Sequence, residues 1–321
     1  MAIEVEGLRE RIKSAESLYS IVETMRALAT VNIRRANQAA SAAREYLRSV
    51  HIALYVALEG RRAPSERRPA GGRSDAPHRA PASAPPPVRS RGAHVPPTLL
   101  VLSSNQGLCG TFNERVTNRA LTLGNQIARS LGIDRSELSY VCVGYRGADR
   151  LEASGVRVVS VFDAPASVEA VGPLVRKIYA AVAELLEPGG RLLGVYNQMT
   201  SGSTFAESEI QLFPLEPGRW RELPEGEAPF ATIPLMAGRS PDIVLPDLVR
   251  ELLFIDLYRI LVESFAAENA ARMISMQGAT ENIDELLAEL GAAYRAARQD
   301  AITNELMDIL GGLFAMEGRS P

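Results

Sequence analysis

Two long helical patterns, one at each end of the chain, dominate the order of apolar and polar positions. Between Leu8 and Ala57 apolar or small residues recur three and four residues apart, about 3.5 on average, and no Gly or Pro interrupts them. These positions are Leu8, Ile12, Ala15, Tyr19, Val22, Met25, Ala29, Ile33, Ala36, Ala40, Ala43, Leu47, Val50, Leu54 and Ala57. A helix of this extent is roughly 75 Å long, so its stripe cannot be buried in one ordinary domain. The pattern therefore predicts a rod that needs an equally long partner.

The C-terminal third of the chain supplies that partner. Asp247 follows Pro246 and is predicted to be the N-cap of the last helix. Its apolar seam is predicted at Met276, Ala279, Ile283, Leu286, Leu290, Ala293 and Ala297. If one compact body separates the two helices, they run antiparallel as a coiled coil projecting from that body. Alanine dominates the seam, which permits close approach with little burial per layer, and a generic coiled-coil spacer is the alternative on pattern alone.

The middle of the chain alternates between strand and helix patterns. Strands are predicted at TLLVLSS, LSYVCVG, VRVVSVF and RLLGVYNQ, helices at 113–131 and 167–186, the latter starting after a Ser cap, and an edge strand at FAESEIQLFPL. Such alternation predicts a mainly parallel sheet with right-handed crossovers. The predicted fold class is α/β: a Rossmann-like central domain with a long antiparallel coiled coil made by the two ends. The predicted parts are the first helix at 1–59, a linker at 60–97, the α/β foot at 98–245 and the last helix at 246–316.

The predicted linker differs sharply in composition from its surroundings. It holds nine prolines, eight arginines and only two acids, Glu66 and Asp75, with almost no large apolar side chain. This composition predicts a disordered, solvated tether, with contact to lipid head groups or an acidic partner as the alternative.

Composition restricts the class of protein further. The chain has 321 residues, 46% of them apolar, and a formal net charge of -3, which argues against a general nucleic-acid binder. The N-terminus lacks the apolar core of a signal peptide, and the apolar run LLFIDLYRILVESF contains Asp256, Arg259 and Glu263, so no membrane span is expected. Cys109 and Cys142 lack metal-ligand spacing and are expected to be buried structural thiols in a reducing compartment.

Candidate chemistry in the middle domain is sparse. The loop SSNQGLCGTFN follows a strand and precedes a helix, where doubly wound folds bind phosphate, but its GxxG spacing equally fits a tight turn. The two lysines, Lys13 and Lys177, lie far from any Gly-rich turn, and the three histidines lie in the first helix and the linker. We therefore expect no P-loop, no catalytic histidine, no metal site and no cofactor.

Three segments carry a resemblance to a known family. The C-terminal ENAARMISMQGATENIDELLAEL and YRAARQDAITNELMDIL are similar to a signature of Ala-Arg-Met, Met-x-x-Ala-Thr-x-Asn and Arg-Gln-x-x-Ile-Thr-x-Glu. SSNQGLCGTFN resembles a Ser-Ser-Asp-Arg-Gly-Leu-Cys-Gly segment, and LRERIKSAESLYSIVETMRALATVNIRRA occupies the place of an N-terminal shaft helix. With the same order of segments, the chain resembles the gamma subunit of F-type rotary ATP synthases, in a divergent form such as the alternative bacterial type.

The resemblance implies a non-catalytic central-stalk rotor. Its partners would be the alpha and beta subunits of the catalytic ring, the epsilon subunit and the membrane c-ring, on the cytoplasmic side of a bacterial inner membrane. Ion flow through the c-ring would turn the rod, which would drive the beta subunits through their nucleotide states. The implied ring contacts are Arg298, Gln299 and Thr303 on the last helix and Arg34 and Arg35 on the first. An apolar bearing at the tip would contain Ile309, Leu310, Leu313 and Phe314.

The chain also departs from the family pattern. Glu23 and Asn32 stand where lysines are usual, and Asn105 and Gln106 replace the customary Asp and Arg. A solvated helix face remains the alternative for the predicted ring contacts. For the whole chain the alternatives are a small-molecule enzyme of doubly wound type with coiled-coil arms and a coiled-coil adaptor.

Overall fold

Five helices and one five-stranded sheet make up the computed structural model, which describes residues 2–61, 95–185, 190–200, 204–215 and 241–317. The helices are α1 (Ala2–Arg61), α2 (Phe112–Leu131), α3 (Tyr145–Ala153), α4 (Val171–Leu185) and α5 (Pro241–Glu317), and the strands are β1 (Thr98–Leu102), β2 (Ser139–Val143), β3 (Arg157–Phe162), β4 (Leu192–Met199) and β5 (Phe205–Phe213). Short 3-10 turns cover Arg135–Glu137 and Val168–Ala170. Most of the predicted linker lies outside the described residues, so its predicted disorder stays a prediction.

The sheet has the order β3-β2-β1-β4-β5. Strands β1 to β4 pair in parallel, and β5 joins β4 antiparallel at the edge. The predicted α/β class and mainly parallel sheet are thereby confirmed, including the edge strand. Helix α3 was missed, because its sequence YRGADRLEA is short and mostly polar, and it buries only Gly147, Ala148 and Leu151.

Each face of the sheet carries its own core. Helices α2 and α3 cover one face, around Leu99, Tyr140 and Leu151, which are fully buried. Helices α4 and α5 cover the other face, where Ala36 and Ala40 of α1 also join the core. The rod therefore does not merely adjoin the foot: one side of the sheet folds directly onto it.

The rod is an antiparallel pair of helices, as predicted. Residue numbers rise along α1 while those of their partners on α5 fall: Asn32 Nδ2 donates to Asn269 Oδ1 at 3.2 Å, and Tyr46 Oη donates to Glu251 Oε1 at 2.9 Å. Every predicted seam position of α1 is buried or half-buried, from Leu8 to Ala57. The spacing of small residues thus identified the contact face of α1 correctly over its whole length.

The seam of α5 was predicted correctly only in part. Met276 and Leu290 are buried, but Leu286 is 40% exposed, and the half-buried neighbour on the seam is Leu287. One heptad further, Ala293 is exposed and Tyr294 takes its place. In both cases two apolar residues are adjacent in the sequence. A spacing that alternates between three and four residues is compatible with either of them, so the pattern does not show which one faces α1.

The start of α5 also differs from the prediction. The helix begins at Pro241 and continues through Pro246, so Asp247 is not its N-cap. Instead Asp247 lies inside the first turns, where its carboxylate accepts a hydrogen bond from Arg250 Nη1 at 2.7 Å. Pro246 is the sixth residue of this helix and lies inside it, at the cost of one intrahelical hydrogen bond, so it does not mark the boundary.

Candidate functional site: the exposed surface of the rod

Arg298, Gln299 and Thr303 are all exposed on the upper part of α5. The Thr303 hydroxyl donates to the carbonyl oxygen of Gln299 at 2.9 Å, so it is bonded to its own helix. The side chains of Arg298 and Gln299 point to solvent, where they are available to a partner. The structure thus places the three residues on one accessible stretch, and their assignment as ring contacts stays a prediction.

Arg34 and Arg35 are exposed on α1 but have different surroundings. Arg34 lines an open groove on the helix with Ile33 and Gln38. Arg35 faces the foot, because its charge contributes to lowering the pKa of Glu169, after the larger effect of the hydrogen bond from Ser167. The groove beside Arg34 is lined by residues of α1 alone, whereas Arg35 lies near the foot.

The two predicted contact sets lie at different heights on the rod. Asn32 is level with Asn269, so Arg34 lies about 45 Å below Arg298 at 1.5 Å per helical residue. One partner loop cannot reach both sets. The two sets are therefore a lower predicted contact on α1 and an upper predicted contact on α5.

The tip of α5 extends beyond its partner. Every residue from Ile302 to Leu310 is exposed, including the large apolar side chains of Leu306, Met307, Ile309 and Leu310. The side chains of Leu313 and Phe314 lie outside the described residues. Exposed apolar side chains on a single helix can pack against an apolar surface of a partner, which is what the predicted bearing requires.

The glycine-containing loop after β1 is a tight turn that packs on the rod. The backbone amide of Ser104 donates to Asn113 Oδ1 at 2.9 Å, and its hydroxyl donates to the Gln106 carbonyl at 2.6 Å. Gly110 has a φ of +54°, and a Cβ there would lie 3.2 Å from Ser275 Oγ on α5. Because the Ser104 amide and hydroxyl and the Gln106 carbonyl are bonded within the turn, the geometry supports the tight-turn interpretation.

Asn105 joins the ends of three strands, a role that sequence reasoning missed. Its Oδ1 accepts from the amides of Ala164 at 3.0 Å and Tyr145 at 3.4 Å, and its Nδ2 donates to Asp163 Oδ1 at 3.2 Å. An aspartate, the customary family residue, would lack the donor and would face the Asp163 carboxylate. Asn105 therefore stands in place of the usual aspartate at a position where its side-chain amide can donate to Asp163.

A cleft of about 330 Å³ opens between α1, this turn and α5. Glu268 lines it, is 8% exposed, and accepts a hydrogen bond from Arg272 Nη2 at 2.7 Å. Burial raises the pKa of the Glu268 carboxyl, and the Arg272 guanidinium partly opposes that rise. The acid is therefore a pH-sensitive group in the joint between rod and foot.

A buried charge cluster ties the rod to the sheet just below this cleft. Arg259 pairs with Asp256 at 3.2 Å and with Glu263 at 3.1 Å. Glu263 also accepts from Tyr196 Oη of β4 at 3.2 Å and from Arg44 of α1 at 3.4 Å. The three charges that interrupt the apolar run of α5 are spaced three and four residues apart, which was the available signal that they share one helix face.

Both cysteines are buried free thiols, as predicted. Burial raises the pKa of Cys142 to about 12 and raises that of Cys109 as well. Such thiols are poor nucleophiles, because the reactive thiolate is hardly populated. They serve packing.

None of the helices in the described ranges has a stretch apolar enough and long enough to cross a bilayer. Among the same residues, no group of His, Cys, Asp and Glu side chains has an arrangement that could hold a metal ion.

Comparisons with known proteins agree on one family. The family model described as ATP synthase matches residues 4–316. The ATP synthase gamma chain of Chlorobium phaeobacteroides is 28% identical over 98% of this chain and 99% of its own length, and that of Chloroherpeton thalassium is 29% identical over 97% of both.

Solved structures give the same fold. A chain of the Euglena gracilis mitochondrial ATP synthase, solved as OSCP, F1 and c-ring in rotational state 3, superposes with a TM-score of 0.57 at 14% identity, covering 99% of this chain and 96% of that one. A rotor chain of the same enzyme in rotational state 1 gives 0.55 at 14% identity, covering 94% and 100%.

These matches span nearly the whole chain, both arms of the rod and the foot together. They favour neither the enzyme nor the adaptor alternative, and they confirm a non-catalytic subunit. The chain belongs to the ATP synthase family, among its gamma chains.

Proposed function

We propose that this chain turns inside a ring of alternating alpha and beta subunits as the central-stalk rotor of an F-type ATP synthase. The observation that carries the proposal is the rod itself: a 60-residue and a 77-residue helix packed antiparallel, with the α/β foot folded onto its lower half. A rotor needs a stiff shaft and a broad foot, and the described residues supply both.

The proposed ring contacts are those that the family resemblance implies, and the exposure of Arg298, Gln299 and Arg34 is compatible with them. Arg298 and Gln299 would engage loops of the catalytic ring near the top, and Arg34 would face acidic side chains of a beta subunit about 45 Å lower. Ile309, Leu310, Leu313 and Phe314 would turn in an apolar bearing. Contacts made by exposed charged side chains are modest in energy, which suits a rotor, because a contact that is very strong at one angle would stall rotation.

The foot would rest on the c-ring and bind the epsilon subunit, at the cytoplasmic face of a bacterial inner membrane. The rod and foot would then transmit ion-driven rotation of the c-ring to the beta subunits. Support comes from the family, and from structural neighbours that were solved together with F1 and a c-ring.

Reconstitution tests the proposal. The purified chain is mixed with alpha and beta subunits, and ATP hydrolysis and rotation of a bead attached to the foot are recorded. The expected result is an assembly that hydrolyses ATP and rotates, while calorimetric titration of the isolated chain with Mg-ATP gives no binding heat. Micromolar ATP affinity of the isolated chain, or failure to assemble with alpha and beta, would contradict the rotor function.

A further inference from the structure

The seam of α1 contains a row of small residues that repeats every seven positions. The row consists of Ala15, Val22, Ala29, Ala36, Ala43, Val50 and Ala57. If α1 slid along α5 by one heptad, about 10.5 Å, every member of this row except the one at its trailing end would be replaced by another Ala or Val. Apolar packing along this row therefore discriminates poorly between the observed register and its neighbours.

The covalent chain does not fix the register either. The helix α1 begins at Ala2, and residues 62–97 separate its end at Arg61 from β1. Thirty-six residues can span more than about 100 Å when extended, far more than a slide of one heptad requires. The position of α1 must be set by side-chain contacts.

One polar pair on the rod has the required selectivity. Asn269 is 1% exposed, and its Nδ2 donates to the Phe265 carbonyl at 2.8 Å. Its Oδ1 accepts from Asn32 Nδ2 at 3.2 Å. A slide of seven residues would bring Met25 or Ala39 to this level, and neither side chain can donate a hydrogen bond. The buried amide oxygen would lose its donor, which makes the slid registers unfavourable.

A second contact between α1 and α5, from Arg44 to Glu263, also favours the observed register, but it discriminates less strongly against the slid registers. Arg44 Nε and Nη2 lie 3.4 Å from Glu263 Oε1, whose side chain is 4% exposed. After a slide Glu263 would keep its bonds to Arg259 and Tyr196, because Arg259 lies on the same helix and Tyr196 in the sheet. The asparagine pair is therefore the stronger determinant.

We propose that Asn32 and Asn269 set the register of the rod and are its positioning residues. In coiled coils a single buried asparagine at a seam position specifies register at some cost in stability. The departure of Asn32 from the usual family lysine then has a function: it completes the pair. If the chain is a rotor, which is the proposed function, the pair also fixes the height of Arg34 relative to Arg298.

Disulfide trapping in the full chain tests the register directly. Leu8 and Ala297 line the same groove at the top of the rod. Leu8→Cys is combined with Ala297→Cys to report the observed register, and with Leu290→Cys or Asn304→Cys to report slides in either direction. Each pair is oxidised in the parent chain and in Asn32→Leu/Asn269→Leu, with the buried native thiols present in all samples.

The parent chain should form only the disulfide to position 297. The double leucine variant should remain helical by circular dichroism and form the slid disulfides at least ten times more readily than the parent. Asn37→Leu, an exposed asparagine on the same helix, is the matched control and should behave as the parent. A double leucine variant that is folded and traps only the 297 pair would overturn the proposal. Because no partner subunit is needed, that result would leave the rotor function untouched.

Discussion

Replacing Arg298 and Gln299 with alanine tests where the rotor meets the catalytic ring. Both side chains are exposed on a helix, and the Thr303 hydroxyl bonds to the backbone of Gln299, so neither substitution removes an internal side-chain contact. Alanine has the highest helix propensity. The free energy of unfolding should therefore change by no more than about 0.5 kcal/mol, and the melting temperature should stay nearly constant.

We expect a larger effect on ATP hydrolysis, because the proposed contacts of these two side chains with the ring would be lost. A hydrogen bond to a charged group is worth about 1.5–3 kcal/mol when shielded, and an exposed ion pair about 0–1 kcal/mol. Since Arg298 would be only partly shielded by a loop of the ring, a loss near 1 kcal/mol in the rate-limiting step is reasonable. That value corresponds to roughly a fivefold fall in ATPase rate.

The assay is ATP hydrolysis by the alpha, beta and gamma assembly, with the yield of assembled complex measured by size exclusion. A matched control, Gln126→Ala/Arg129→Ala, removes the same two residue types from exposed positions on α2 of the foot and should leave the rate unchanged. Parent ATPase rates and parent yields in the Arg298→Ala/Gln299→Ala assembly would refute the reasoning and leave these residues as a solvated face.

Three other predictions concern the rest of the chain. Shortening the 60–97 linker by about twenty residues should change neither the melting temperature nor the recovery of complex, since the segment has almost no apolar side chains to pack; a large loss in either would show that it packs or binds. Because burial raises the pKa of Glu268, the folded chain keeps that proton to a higher pH than the unfolded chain, and stability falls as pH rises above the unfolded value of about 4.3. Glu268→Gln should therefore raise the melting temperature at pH 7 but hardly change it below about pH 4, and an equal effect at both pH values would contradict the assignment. Gly144→Ala should lower the free energy of unfolding by about 1–3 kcal/mol in urea titration, because φ is +93° and the new Cβ would lie 2.6 Å from the Ser103 backbone; Gly132→Ala, with φ +67° but open space around it, separates the backbone strain from the clash.

Periodic features of this fold could be predicted from the sequence. The α1 seam repeats without interruption for some fifty residues, so errors at single positions do not accumulate, and the buried parallel strands appear as continuous apolar runs. The seam of α5 could be predicted less exactly, because periodicity does not distinguish between adjacent apolar residues. Leu286 and Leu287 are chemically identical neighbours, and only the contact with α1 decides which of them is half-buried.

The polar contacts between distant parts of the chain could not be predicted from the sequence. Asn32 looks like a lost lysine until Asn269, far away in the chain, is found opposite it. Asn105 looks like a conservative change until the Asp163 carboxylate is seen beside it. Such residues carry no periodic signal, because each is explained by one distant partner.

The exposed tip of α5 has a mechanical consequence. Below Ile302 the shaft is two helices thick, whereas from Ile302 to Leu310 the described residues form a single helix with no packed neighbour. Torsional rigidity rises steeply with the cross-section of a shaft, so under equal torque this upper segment twists far more per ångström than the paired rod. Arg298 and Gln299 lie just below the change in thickness. Torque that passes between these residues and the foot is carried by the paired rod, so the thinner tip above them lies outside that load path and can turn as a slender pivot.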